Sequence, residues 1–269
     1  MQYTRRTTKS TLTFEGKGLH SGVPVKVTVT PSDSGIRFYF GDRFWQALPE
    51  NVTDTTRCTR LGEISTVEHL MSAFAGAEIT DATVEVDAPE MPALDGSSNI
   101  YFKALIEGGL EDLGTEEAPA IFSRTFVQDG DAKIAVSAGE GHWRYEFHTG
   151  ERWPGCQTYE STDIVVDYAG VSTARTFAFQ EELPMIQAAG LGQGLDSDSA
   201  LILGTDGYLN TERCSDEPVR HKILDAIGDI YLAGIPIRML NVVAVRTGHT
   251  MNVKAAHLLR EQLRSVVNT

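Results

Sequence analysis

The chain is short of cysteine, of positive charge and of long apolar runs. Its three cysteines, Cys58, Cys156 and Cys214, are odd in number and unclustered. That excludes a cysteine-built zinc site and fits a reducing, cytoplasmic compartment. Lys and Arg total 23 against 37 Asp and Glu, a net charge of −14 over 269 residues. A dispersed acidic balance argues against a nucleic-acid partner, and any anionic substrate then needs a locally basic site. No apolar run reaches the roughly 18 residues of a spanning helix. No apolar stretch follows the basic Arg5-Arg6, so no signal peptide is expected. What is present is enough apolar sequence, at 41%, for one large or two ordinary domains.

Strand patterns open the chain. Residues 10–14 and 25–30 alternate apolar and polar, and 36–40 is aromatic-rich. Between the first two lies Gly16-Lys17-Gly18-Leu19-His20-Ser21-Gly22, a tight loop in which His20 needs no role. Residues 80–87 read as a strand and 100–108 as a helix. The stretch 114–119 is the best linker, dividing the chain into units 1–116 and 117–269. The second unit again starts with strands, at 120–127, 133–137 and 143–148, with another expected at 163–168. A helical stretch at 181–189, strands at 200–203 and 240–246, and a last helix from Val253 towards Val266 follow. No residue-level repeat is visible, but the layout of the two units recurs.

Two stretches carry chemistry. In Val219-Arg220-His221-Lys222-Ile223-Leu224-Asp225-Ala226-Ile227-Gly228-Asp229, Ile223, Leu224, Ile227 and Ile230 form a helical apolar stripe. Asp216 can cap this helix, and Pro218 suits its first turn. His221, Asp225 and Asp229 recur every four residues on a neighbouring face, so His221 and Asp225 can converge on one ion. That is half of a zinc site, although such a pair is more often a hydrogen bond or a solvated face. In Ser65-Thr66-Val67-Glu68-His69-Leu70, Ser65 and Glu68 can form a capping box before a helix that Gly76 ends. The sharper reading makes His69 a zinc ligand beside a carboxylate base, Glu68, able to take a proton from water. The order Glu-His is not the His-Glu-x-x-His metalloprotease pattern. Gly190-Leu191-Gly192-Gln193-Gly194 has the spacing of a phosphate loop but follows a helix and precedes a strand, the wrong order for one. His249 sits at a strand-to-helix turn, where functional side chains are often presented. His142, His148 and His257 receive no role.

Taken together, I-S-T-V-E-H-L at 64–70, V-R-H-K-I-L-D-A-I-G-D at 219–229, A-R-T-F at 174–177, G-L-H-S-G at 18–22, D-G-S at 95–97 and Gly248-His249 resemble one family in the same order. The chain resembles, over nearly its whole length, the UDP-3-O-acyl-N-acetylglucosamine deacetylases, zinc enzymes of the committed step in lipid A synthesis. The resemblance implies an α+β fold of two similar domains, their helices sandwiched between the two domains' sheets. It implies Zn(2+) held by His69, His221 and Asp225, with water in the open position. Glu68 would be the general base. His249 would be a protonated histidine that stabilises the oxyanion and protonates the leaving amine, oriented by Asp229. Thr176 would help hold the oxyanion, and Lys222, Phe177, Leu19, His20 and Leu195 would meet the substrate. That substrate is a small-molecule UDP-sugar lipid precursor, and the chain is expected to act as a cytoplasmic monomer.

The chemistry of those residue types agrees. An acetamide is a poor electrophile, and zinc both polarises it and lowers the pKa of a water from 15.7 to about 7. The amine leaves poorly unless protonated, so a base and an acid of opposite charge are needed, giving a bell-shaped pH profile. Two departures from the family pattern stand out. The segment from Cys58 to Ser65 is shorter than in many members. Gly194-Leu195-Asp196 stands where small residues help line the acyl passage, so a wetter or shorter passage and shorter acyl chains are expected. The alternative is a zinc amidase of the same fold acting on a different N-acyl sugar or amide, because fold and metal do not specify substrate.

Overall fold

The computed structural model describes residues 2–118, 121 and 123–267. Two five-stranded sheets carry the fold. The first contains β2 (Leu12–Lys17), β3 (Pro24–Thr30), β4 (Ile36–Phe40), β5 (Arg43–Gln46) and β8 (Ala82–Val86), in the order β2-β3-β8-β4-β5. The second contains β10 (Thr125–Asp129), β11 (Ala132–Ala138), β12 (Trp143–His148), β13 (Cys156–Ser161) and β16 (Leu240–Val245), in the order β10-β11-β16-β12-β13. Counted within each set, the order is the same: first, second, fifth, third, fourth. In each sheet only the pair joining third and fifth strands is parallel, β4 with β8 and β12 with β16. The recurring layout in the sequence is therefore a repeated topology.

Alternation places each sheet's apolar face inward. Val25, Val27 and Val29 of β3 are buried while Lys26 is exposed, and Val27 pairs with Phe14 and Val86. Opposite them stand Ile134, Val136, Trp143, Tyr145, Val242 and Ala244, in the same core cluster. Between the sheets lie α1 (Glu68–Gly76), buried at every residue, and α5 (Glu217–Tyr231), exposed only partly and only at Arg220 and Lys222. Helices apolar or buried all round belong in the middle of a molecule. Among the described residues four more α-helices follow, α2 (Asn99–Gly108), α3 (Ile164–Ser172), α4 (Leu183–Ala188) and α6 (His249–Val267). Among the described residues no helix is long and apolar enough to cross a membrane.

Among the described residues three two-stranded sheets remain: β1 (Gln2–Thr8) with β9 (Leu110–Glu117), β6 (Val52–Asp54) with β7 (Arg60–Leu61), and β14 (Phe177–Phe179) with β15 (Leu201–Leu203). The first corrects an expectation. Most of the acidic stretch read as a linker is the end of β9, paired with the basic N-terminal strand, and Arg5 meets Glu116 while Arg6 meets Asp112. Pro119 of that stretch lies outside the described residues. So do residues 120 and 122 of the strand expected at 120–127, whose described part begins at Thr125. The strand expected at 163–168 is instead α3. Its β-branched start favours a strand, but the Asp163 carboxylate accepts from the N–H groups of Val165 and Val166, both at 3.2 Å, and caps a helix. β13 was not foreseen, and α6 begins four residues before the expected Val253.

Candidate active site

Three helices converge on one cavity: α1 by its first turn, α5 by its first half and α6 by its N-terminus. The approach of α1 to α5 depends on Gly228, because a Cβ there would lie 2.1 Å from the Glu68 carbonyl oxygen. The expected capping box is absent. Ser65 makes no cap bond, and the Glu68 carboxylate turns away to accept the Thr59 N–H at 2.9 Å. Asp216 precedes α5 but accepts from Arg220 Nε rather than from the backbone of the first turn. The start of α5 is fixed instead by a buried ion pair, Glu217 with Arg175, whose Nε donates at 2.8 Å. Arg175 belongs to Ala174-Arg175-Thr176-Phe177, so the pair holds that segment against α5.

His69, His221 and Asp225 form the cluster. All three are buried, and one donor atom from each lies within 4.8 Å of the others. Asp225 Oδ1 is 3.4 Å from His221 Nε2 and 3.8 Å from His69 Nε2. It is buried with no hydrogen-bond partner among the described residues, an orphaned acceptor aimed between two imidazoles. The other oxygen, Oδ2, accepts from Lys222 Nζ at 2.8 Å. His221 Nδ1 donates to the Ala174 carbonyl at 3.1 Å, leaving a lone pair on Nε2. Burial pushes His69 down to about 3, with His221 reinforcing, and burial also pushes His221 down. Burial opposes the Asp225 carboxylate, but His221 and Lys222 hold it well below the usual range. Two neutral imidazoles and one carboxylate suit a divalent cation and leave room for a further ligand. The residues fit a metal.

Beside this cluster Glu68 and His249 face each other, Oε1 to Nε2 at 3.9 Å. Burial raises the Glu68 carboxyl to about 8, opposed by the His249 charge and reinforced by Asp229 and Asp225. Burial works against the His249 imidazolium, but the charge and hydrogen bond of Asp229 outweigh it and raise the group to about 9. Asp229 Oδ2 accepts from His249 Nδ1 and from Asn252 Nδ2, each at 3.0 Å, and Oδ1 accepts from Thr59 Oγ1 at 2.5 Å. Thr59 thus bonds both carboxylates: Glu68 through its N–H and Asp229 through its hydroxyl. No spacing signal marks Thr59. Asn252 follows His249 by three residues, a helical spacing hidden by the later start expected for α6.

The cavity, of about 220 Å³, is also lined by Leu19, His20, Thr176, Phe177 and Lys222, as well as Arg57, Cys58 and Thr66, which sequence reasoning passed over. Burial pushes the Cys58 thiol up to about 12, so it stays protonated. The loop carrying Leu19 and His20 hangs from the buried Glu90, which accepts from the N–H groups of His20 (2.7 Å) and Ser21 (2.9 Å). A groove of about 430 Å³ continues from this cavity, with Leu183, Ile186, Leu191, Leu195 and Ile202 on its walls. Asp196, expected to leave a charge in that groove, lines it as an exposed residue. Its Oδ1 accepts from Asp198 N, Ser199 N and Ser199 Oγ, so its own turn holds the carboxylate and keeps its pKa low. His142, His148 and His257 stand apart, beside Glu160, Cys156 and Glu261.

Comparison with known proteins bears on this arrangement. The family model described as LpxC, UDP-3-O-acyl N-acetylglycosamine deacetylase, matches residues 5–261. Relatives named UDP-3-O-acyl-N-acetylglucosamine deacetylase include one from Nitratiruptor, 34% identical over 96% of this chain and 91% of its own length. One from Haemophilus influenzae is 36% identical over 93% of this chain and 88% of its own. One from Cellvibrio japonicus is 36% identical over 96% and 90% respectively.

Proposed function

The chain belongs to the UDP-3-O-acyl N-acetylglycosamine deacetylase family, and on that premise we propose that it hydrolyses the N-acetyl group of UDP-3-O-acyl-N-acetylglucosamine, releasing acetate for lipid A synthesis. The observation that carries this reading is the His69, His221 and Asp225 cluster beside the Glu68–His249 pair, in a cavity that opens into an apolar groove. A polar reacting centre with an apolar extension fits a sugar amide that carries an acyl chain.

His69 Nε2, His221 Nε2 and Asp225 Oδ1 would hold zinc. Bound there, zinc supplies Lewis-acid polarisation of the acetamide and makes a water nucleophilic near neutral pH. Glu68 takes the proton of that water as its oxygen bonds the carbonyl carbon. Thr176 and the His249 imidazolium face the oxyanion that develops. His249 then gives its proton to the amine nitrogen as the C–N bond breaks, and Asp229 fixes the imidazole by accepting from Nδ1. The products are acetate and the free amino sugar. Lys222, lying 5.6 Å from the Phe177 ring centroid, together with Phe177, Leu19 and His20, meets the sugar, while Leu195 meets the acyl chain. We divide the chain at residues 116 and 117, each unit owning one five-stranded sheet. The unbridged Cys58, Cys156 and Cys214 support a cytoplasmic setting, where we take the enzyme to work as a monomer.

The test is acetate release from the purified UDP-3-O-acyl substrate, with metal content measured before and after chelation. Activity should vanish with the chelated metal and return with zinc. His221→Ala should lose bound zinc and turnover together. A His221→Ala protein with full zinc content would remove that residue from the ligand set. A zinc-loaded wild-type chain inert towards this substrate would overturn the reading itself.

A further inference from the structure

Five residues line both the catalytic cavity and the apolar groove: Leu19, His20, Arg57, Thr176 and Phe177. Arg57 is the one with a permanent charge and the one to which the mechanism above gives no task. Its guanidinium has no hydrogen bond or ion pair among the described residues, in a chain with 37 acidic residues. Other arginines are engaged, Arg175 with Glu217 and Arg213 with Asp95. Arg57 also sits at φ +64, the left-handed region that disfavours a long side chain. The chain is pinned on either side, by Thr56 on Asp54 and by Thr59 on Glu68. Glycine would suit the turn from β6 to β7, yet an arginine occupies it. Strain kept at the junction of two cavities directs attention to what the side chain does there.

We propose that Arg57 is a specificity-determining residue whose guanidinium donates to the ester carbonyl oxygen joining the sugar to its acyl chain. This rests on the deacetylase reading. In that substrate the acetamide must reach His69, His221 and Asp225 while the acyl chain on the neighbouring carbon lies in the groove. The ester must therefore cross the lining that the two cavities share. A carbonyl leaving water for that wall loses its hydrogen bonds unless a donor replaces them. Thr176 is committed to the oxyanion and His20 to the sugar, and Leu19 and Phe177 have no polar side-chain atom. Arg57 supplies a charged donor with no competing partner.

The experiment compares the 3-O-acyl substrate with a 3-O-alkyl ether of equal chain length, on wild type, Arg57→Gly and Arg57→Gln, with melting temperatures alongside. Wild type should favour the ester by roughly tenfold or more in kcat/KM, the scale of a hydrogen bond to a charged group, expressed in KM. Arg57→Gly should erase that preference while its melting temperature holds or rises, because glycine accepts the left-handed backbone. Arg57→Gln, which keeps the strained backbone and a polar side chain, should lose most of the preference too. Variants that retain the ester preference overturn the proposal, and so does an equal loss on both substrates, which puts Arg57 on another part of the ligand. Wild-type inactivity towards both compounds overturns the deacetylase reading and this proposal with it.

Discussion

Glu68 and His249 are two titratable groups 3.9 Å apart whose surroundings push both pKa values up, the carboxyl to about 8 and the imidazole to about 9. The proposed base must be ionised and the proposed acid protonated. Activity therefore rises as pH passes the Glu68 value and falls as it passes the His249 value, and kcat/KM against pH should be a narrow bell. A dication nearby favours the carboxylate and disfavours the imidazolium, so both limbs of the metal-loaded enzyme should lie below those of the metal-free groups. Asp229→Asn removes the charge that raises His249 and should move the alkaline limb to lower pH. An unmoved limb would detach His249 from it. Glu68→Gln should keep its metal and lower kcat by roughly 10²–10⁴, the span of a positioned base. Near-wild-type turnover would end the assignment. Thr59, fully buried, holds Glu68 and Asp229 in register. Thr59→Val deletes only the hydroxyl bond and should cut kcat with KM little changed, whereas Thr59→Ser should keep most of it. A lowered melting temperature with intact kcat would make the bond structural only. These residues differ in legibility. His221 and Asp225 were readable because four residues span one helical turn. Thr59 and Asp229 meet across 170 positions of chain, which no local pattern reports.

At the scale of elements, α5 is where sequence and structure agree most closely. Its apolar stripe and its His–Asp–Asp face are both local periodicities, and the fold buries them as the periodicity requires. What the stripe cannot show is how α5 is held at its start. The Glu217 side chain is fully buried and accepts from the Nε and Nη2 of Arg175 and from the N–H groups of Arg175 and Arg213. Removing one partner of a buried pair leaves an uncompensated charge, which costs about 3–5 kcal/mol. Glu217→Ala should therefore lose stability of that order in denaturant titration. It should also weaken metal retention, because Ala174, whose carbonyl holds His221 Nδ1, precedes Arg175. A loss below about 1 kcal/mol, the size of an exposed pair, would show that Arg175 finds other partners. Elements misread from sequence failed for similar reasons. α3 starts with Ile164-Val165-Val166, and its helix depends on one cap from Asp163. β9 has little apolar pattern of its own and becomes a strand because β1, more than a hundred residues away, supplies its partner.

Across the whole molecule, the repeated sheet order sets two similar layers face to face and brings α1 and α5 together at Gly228. The reacting groups collect at that seam, and the groove leads away from it along segments that follow α3. The walls near Leu195 set how much acyl chain is covered. Gly194 is confined because a Cβ there would lie 2.1 Å from the Gly18 carbonyl oxygen, and its N–H donates to the Leu19 carbonyl at 3.1 Å. The following Leu195 is thereby held against a groove whose other walls include Ile186 and Leu191. Asp196 also lines this passage, its carboxylate held within its own turn, and Leu195 beside it adds bulk to the wall. Each methylene buried contributes about 0.8 kcal/mol. Excluding three or four of them removes roughly 2–3 kcal/mol, about thirty- to 160-fold in kcat/KM. Wild type should therefore prefer shorter acyl chains, and Leu195→Gly should move the optimum to longer ones while leaving kcat on short substrates nearly unchanged, because Leu195 is absent from the catalytic cavity. The measurement is kcat/KM across a graded acyl series for both proteins. A wild-type optimum at the longest chain, unmoved by the substitution, would show that Leu195 does not bound the passage.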